Sequence, residues 1–393
     1  MGIMICRQIT INHSADTLSC QRILKIEFAC LMLRFLILLL CATANHAVAQ
    51  NAIVDVKYSG KPGALVEGAP RFATIGAALS AVPRDNARPF VIFIKEGRYD
   101  EKLIVDRPFV HFIGESRDGT IITHDDCGDT PAPQGGKLGT QGSFTLQIAA
   151  PDFTAENLTI ENGFDYDANA AKADDDPAKV HNPQAVALMT TAASDRATFC
   201  NCVLRGFQDT LYADAGRHYF HGCRILGHVD FIFGAGQAVF ENCEIVSRDR
   251  KGKGPTGYIT APSTAMGYPF GFLFVACRLL KETKDLPAGS VRLGRPWHPG
   301  GDPRVEGSAV FIRCFMDDHL GLEGYAAISV RDSTGQRIWF EVKPDSRFFE
   351  FESHGPGAIK NDKRPTLNEK EAAYYSAANV LNGWSPACLP RAY

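Results

Sequence analysis

The chain has 393 residues, 45% apolar and 22% charged, a balance that excludes an intrinsically disordered protein and allows one large domain or two of average size. Its net charge is −3 and no basic run stands out, so nucleic acid is excluded as a natural partner, because binding it leaves a positive patch.

The first element in chain order is a targeting segment. Arg34 precedes the apolar run Phe35 to Ala42, and Ala47-Val48-Ala49 comes after it. A charged start, a short apolar core and a small-x-small site make a secretory signal. The run falls short of the roughly 20 apolar residues that span a bilayer. Residues 1–49 are therefore read as a presegment, with Met32 the expected true start. A lipid anchor on Cys41, which would make an outer-membrane lipoprotein, is the weaker reading, because Leu38-Leu39-Leu40 lacks a small residue before the cysteine. The mature chain, 50–393, is expected to be one secreted domain, monomeric and without a membrane. Cys6, Cys20, Cys30 and Cys41 leave with the presegment, and export permits a disulfide among the others.

A helix is expected around Thr74 to Val82, capping the first coil. Then come short alternating segments: Val91-Ile92-Phe93-Ile94, Val110 to Gly114, and Asn157-Leu158-Thr159-Ile160. A phrase next recurs, made of Phe, two residues, Cys, one residue, then an aliphatic residue or Met. It stands at Phe199-Cys202-Leu204, Phe220-Cys223-Ile225, Phe240-Cys243-Ile245, Phe274-Cys277-Leu279 and Phe311-Cys314-Met316. Apolar residues alternate inside it with period 2, as in a strand, and not at the helical 3.6. Repeats of about 20 residues, each a short strand with turns, mark a solenoid. The expected fold is all-β: a right-handed parallel β-helix with Phe and Cys in inward ladders. Longer gaps after Cys243 and Cys277 imply inserted loops. Thr366 and Glu369 read as a capping box for a C-terminal helix that ends near Gly383 and packs on the coils.

The repeat also brings chemistry together. Asp209 and Asp230 stand at the same offset from Cys202 and Cys223, which places them one coil apart, roughly 4.8 Å along the stack. Arg250 stands at that offset from Cys243. Carboxylates this close cannot ionise independently, so one suits a nucleophile and the other an acid. A lone Asp at a turn is more often structural, but both of these lie in Gly-flanked, aromatic-rich stretches, Gly206 to Tyr212 and Gly227 to Gly234. A buried charge without a task is costly there.

With Gly97-Arg-Tyr-Asp-Glu101, Gln184-Ala-Val-Ala-Leu188 and Leu293-Gly-Arg-Pro-Trp297, these stretches resemble the pectin methylesterases, the secreted bacterial branch above all. The motifs occur in the family's order and span most of the mature chain. The resemblance implies that Asp230 attacks the C6 methyl ester carbonyl of pectin and that Asp209 shuttles the proton. It implies that Gln184 and Gln208 stabilise the oxyanion, that Arg295 orients Asp230, and that Trp297 stacks on a sugar. Thr140, Tyr212, Val229, Phe233, Arg250 and Met316 fall where the family lines its groove. No metal and no cofactor is implied, and the partner is the polysaccharide, methylesterified pectin.

A single coil separates Cys223 from Cys243, a spacing compatible with a disulfide. Cys202 is a rival partner, and a ladder of buried thiols is a third outcome. Related bacterial sequences carry the Cys223–Cys243 bond, so the resemblance favours it. The chain departs from its relatives at His298-Pro299-Gly300-Gly301, at the basic segment Lys251-Gly-Lys-Gly-Pro255 and in the acidic stretch Asp165 to Asp176, read as a mobile loop. Rival functions are an esterase for another acyl group, a polygalacturonase-like glycosidase, a calcium-dependent lyase and a non-catalytic polysaccharide binder. The glycosidase lacks its Asn-Thr-Asp and Arg-Ile-Lys signatures here, and the lyase lacks an arranged acidic cluster.

Overall fold

Each Phe-x-x-Cys phrase folds the chain around a corner. The residue before the cysteine takes a left-handed conformation: Asn201 at φ 51°, Gly222 at 59°, Asn242 at 54°, Ala276 at 51° and Arg313 at 52°. That bend lets Phe199 in strand Ala197–Cys200 and Cys202, at the corner before strand Val203–Arg205, both point inward. The phrase is thus a corner signature as well as a strand signature.

The computed structural model describes residues 50–250, 255–332 and 334–388, which fall in one unit, 50–389. The signal-like segment, Met32, Cys41 and Lys251 to Gly254 lie outside the described residues. Among the described residues, strands gather into sheets of twelve, eight and seven strands, plus a small antiparallel pair, Ile328–Arg331 with Arg337–Phe340. Successive coils send one strand to each large sheet. Leu211–Ala213, Val229–Gly234, Gly257–Pro262 and Val291–Gly294 are neighbours in the seven-stranded sheet, all parallel. The fold is the expected parallel β-helix.

Register holds the ladders in line. Phe199, Phe220, Phe240, Phe274 and Phe311 are paired across the twelve-stranded sheet, and their rings stack at 4.7, 4.8, 4.5 and 4.6 Å. Offset stacking adds to the area these rings bury. The cysteine ladder corrects one expectation. Cys223 and Cys243 are both buried thiols, and the disulfide joins Cys200 to Cys388 with Cα atoms 5.8 Å apart. In-register neighbours keep their Cβ atoms near the ~4.8 Å strand spacing, wider than the ~3.8 Å a disulfide prefers. Each thiol instead donates to the Phe carbonyl one coil back, Cys223 to Phe199 at 3.3 Å and Cys243 to Phe220 at 3.4 Å.

The early helix is Ile75–Ser80, capped by Thr74. Its first free amides, on Ile75 and Gly76, donate to the Glu101 carboxylate at 2.8 and 2.9 Å, so the Gly97-to-Glu101 motif ends in a helix cap. The C-terminal helix departs from expectation at its start. Thr366 is held in a parallel bridge to Glu350, and the capping box forms two residues later between Asn368 and Glu371. Two short helices come next, Glu369–Tyr374 and Ala377–Val380. Their Ala372 and Val380, with the adjoining Leu381, pack on outward residues of the twelve-stranded sheet, including Val239, Leu273, Val310 and Ile312.

Candidate active site

Asp230 occupies a bulge. Val229 pairs with Tyr258 and Ile232 with Thr260, so Asp230 and Phe231 together face the single residue Ile259. An extra residue re-aims a strand's side chains, and Asp230 meets it with φ 51°. Asp209, just ahead of Leu211–Ala213, takes φ 66° and donates its amide to the Val229 carbonyl at 3.1 Å. Left-handed backbone is sparse outside glycine and collects at functional sites. The register Leu211 to Ile232 carries the two aspartates side by side, as their equal offsets implied.

Arg295 comes directly after strand Val291–Gly294 and reaches Asp230 from 65 residues away in sequence. Its Nε donates to Oδ1 at 2.8 Å and its Nη2 to Oδ2 at 2.5 Å. A bidentate pair fixes the carboxylate's plane as well as its charge. Gly294, the residue before Arg295, lets the strand pack closely on its neighbour, since a Cβ there would lie 2.3 Å from Thr260 Oγ1. Burial opposes the Arg295 charge, but Asp230 outweighs it and holds the guanidinium above its usual value. Asp209 is only 4% exposed. Burial first, then the charge of Asp230, push its carboxyl well above the usual carboxylate range, against a smaller opposing pull from Arg295. The two aspartates are therefore unlike: one is ion-paired, and the other is buried with its carboxyl pushed towards the protonated form.

Both open on a cleft of about 370 Å³, lined also by Thr140, Gln184, Tyr212, Phe233 and Trp297. Thr140 Oγ1 donates to Gln184 Oε1 at 2.5 Å, leaving the amide nitrogen of Gln184 as a free donor. Tyr212 stacks on Phe233 at 4.3 Å, and Trp297 meets both rings edge-on. Gln208 is half-buried beside Asp209, and its carbonyl accepts from Ala185, next to Gln184. It does not line the cleft, nor do Val229, Arg250 and Met316. Val229 is buried, and its part is the carbonyl that Asp209 holds. Arg250 is exposed, with Nε 3.4 Å from the Tyr166 hydroxyl. Met316 corrects an expectation: it is 0% exposed in the main core, because the last position of the Phe-Cys phrase faces inward.

Sequence reasoning missed Leu138, Gly139, Gln141 and Ala261, which complete the lining. The first three belong to a loop around the short helix Gly139–Gly142, where no periodicity marks them. The acidic stretch is ordered in part. Asp165 caps the helix Tyr166–Ala170, and Tyr166 packs on Phe207 and His228. Among the described residues, Asp317, Asp318 and His319 are the group with metal-ligating spacing, and Lys281 already donates to Asp318 at 2.6 Å. None of them lines the cleft.

A parallel β-helix with an outward cleft lined by two unlike carboxyl groups points to a class, the β-helix hydrolases. The pectinesterase family model matches residues 64–383, and the chain belongs to the pectinesterase family. Pectinesterase A of Dickeya dadantii (strain 3937) is 42% identical over 355 residues, covering 87% of this chain and 93% of that protein. A crystal structure of pectin methylesterase in complex with hexasaccharide VII is similar at TM-score 0.81 and 43% identity, covering 88% of this chain and 100% of that one. Pectin methylesterase from Yersinia enterocolitica is similar at TM-score 0.77 and 47% identity, over 80% of this chain and 100% of its own.

Proposed function

We propose that this chain is a secreted pectin methylesterase, releasing methanol from the C6 methyl esters of homogalacturonan through an acyl-enzyme on Asp230. The observation that carries the reading is the unlike pair: Asp230 in the bidentate grip of Arg295, and Asp209 buried beside it with its carboxyl pushed above the usual carboxylate range. A nucleophile and a proton donor are the two things ester cleavage asks of a site at neutral pH.

An Asp230 oxygen attacks the ester carbonyl, and the charge passes to the carbonyl oxygen. The Gln184 amide, turned by Thr140, donates to that oxyanion. One such donor is typically worth ~3 kcal/mol. The tetrahedral centre collapses, the bond from the acyl carbon to the methoxy oxygen breaks, and Asp209 gives its proton to the departing methoxide. Asp209, now ionised, takes a proton from water, whose oxygen attacks the anhydride and frees Asp230. Trp297 forms a sugar platform with Tyr212 and Phe233, and Arg250 stands ready for a carboxylate further along the chain. The presegment, residues 1–49, supplies the export signal, so the enzyme meets pectin outside the cell. The described residues contain no helix long and apolar enough to cross a membrane.

Methanol release from highly methylated pectin, compared with new reducing ends, tests the reading. Wild type is expected to release methanol alone, and Asp230→Asn to fold but lose activity by about a thousandfold or more. Reducing sugar without methanol, or an active Asp230→Asn, sinks it.

A further inference from the structure

Two in-plane hydrogen bonds tie Arg295 to Asp230, but they leave the guanidinium able to rock about the axis joining the groups. Tyr258 lies against its face. The Arg295 Cζ sits 4.1 Å from the centroid of the Tyr258 ring. Tyr258 belongs to strand Gly257–Pro262, between the strands of nucleophile and arginine. It pairs with Val229, the residue before Asp230, and with Arg292, and its amide donates to the His228 carbonyl at 2.8 Å. The ring therefore rises from backbone locked to the bulge that aims Asp230.

We propose that Tyr258 is a positioning residue for ester cleavage, its ring face fixing the Arg295 guanidinium in the plane that presents Asp230 to the ester. The inference rests on Asp230 being the nucleophile. A ring's negative face attracts a cation most strongly where water is partly excluded, and the Arg295 side chain is only 20% exposed. Tyr258 does not line the cleft, so it acts through Arg295 and not on the sugar. Loss of the face lets the guanidinium tilt, which loosens the grip on Asp230 and misplaces the attacking oxygen.

Tyr258→Leu, Tyr258→Phe and a ring-fluorinated phenylalanine at the same position separate this role from packing. Fluorine drains charge from the ring face while nearly keeping its shape. Methanol release is measured against substrate concentration, with Asp230→Asn alongside. Tyr258→Leu is expected to lower kcat about tenfold, with KM within about twofold. Tyr258→Phe should keep kcat within about threefold of wild type, and the fluorinated ring should fall towards Leu. Should Tyr258→Leu not fold, the comparison of Phe with its fluorinated form decides. Equal kcat for those two rings, or a KM that rises in step with the loss of kcat in Tyr258→Leu, overturns the inference. An active Asp230→Asn overturns the nucleophile assignment and this inference together, whereas an inactive one beside a fluorine-insensitive ring overturns the inference alone.

Discussion

At Asp209 two forces act in one direction: burial strips water from the carboxyl, and the charge of Asp230 one coil away opposes a second. The folded-state pKa therefore lies above the unfolded value near ~3.9. Between those values the native state binds more protons than the unfolded chain, so stability falls as pH rises through the window. Above it the native state carries the whole penalty. Asp209→Asn removes the ionisable group and keeps the shape, so it should raise Tm at pH 7 by about 2 °C or more. The same change should cut methanol release by about a hundredfold or more. A lowered Tm would show that the ionised carboxyl makes favourable contacts. In the wild type, activity should decline on the alkaline side as Asp209 loses the proton that methoxide needs.

Elements are joined by contacts that lie far apart in sequence. Cys200 closes strand Ala197–Cys200, and its partner Cys388 lies 188 residues later, beyond the two C-terminal helices. Arg217 adds a second tie, donating to the Leu381 carbonyl at 3.0 Å. The bond thus clamps the C-terminal segment to the outside of the stack. Cys388→Ser is expected to cost about 2–5 kcal/mol in denaturant unfolding. It should leave kcat within about twofold, because no cleft residue moves with it. Peptide mapping without reduction should recover Cys200 joined to Cys388, and Cys223 and Cys243 unlinked. A linked Cys223–Cys243 peptide would refute the thiol ladder.

For the molecule as a whole, a solenoid's weak points are its ends, where a coil has a neighbour on one side only. The hairpin Ala64–Val66 and Ala69–Phe72, with helix Ile75–Ser80, covers the first coil. At the other end, strand Ser346–Phe351 is last in the twelve-stranded sheet, and Arg364 folds back over it. Arg364 is 2% exposed, with Glu350 at 2.7 and 2.6 Å and the Gly357 carbonyl at 2.6 Å. It also donates to Met316 Sδ at 3.2 Å, in the main core. Glu350→Gln leaves that cation without its counter-charge, an expected loss of about 3–5 kcal/mol in urea unfolding. A loss below about 1 kcal/mol would mean that carbonyl and thioether satisfy Arg364 by themselves.

The sequence by itself determined the coil and the carboxylate pair. Period-2 alternation decides which face a side chain takes, and equal spacing decides which side chains stack, so Phe199 to Phe311 and Asp209 with Asp230 were legible. The helix after Thr74 was legible too, because its cap is local. Contacts that depend on where an insertion lands were not. Arg295 reaches Asp230 across 65 residues, Thr140 reaches Gln184 across 44, and Cys200 finds Cys388 across 188. No local pattern encodes those distances. The Cys223–Cys243 pairing failed for a related reason: spacing set the correct coil, but parallel stacking held the Cβ atoms at strand separation. The bulge at Asp230 likewise arises between two strands, from one residue too many on one of them. Alternation along a chain sets orientation within an element, and only the packed structure sets the distance between elements.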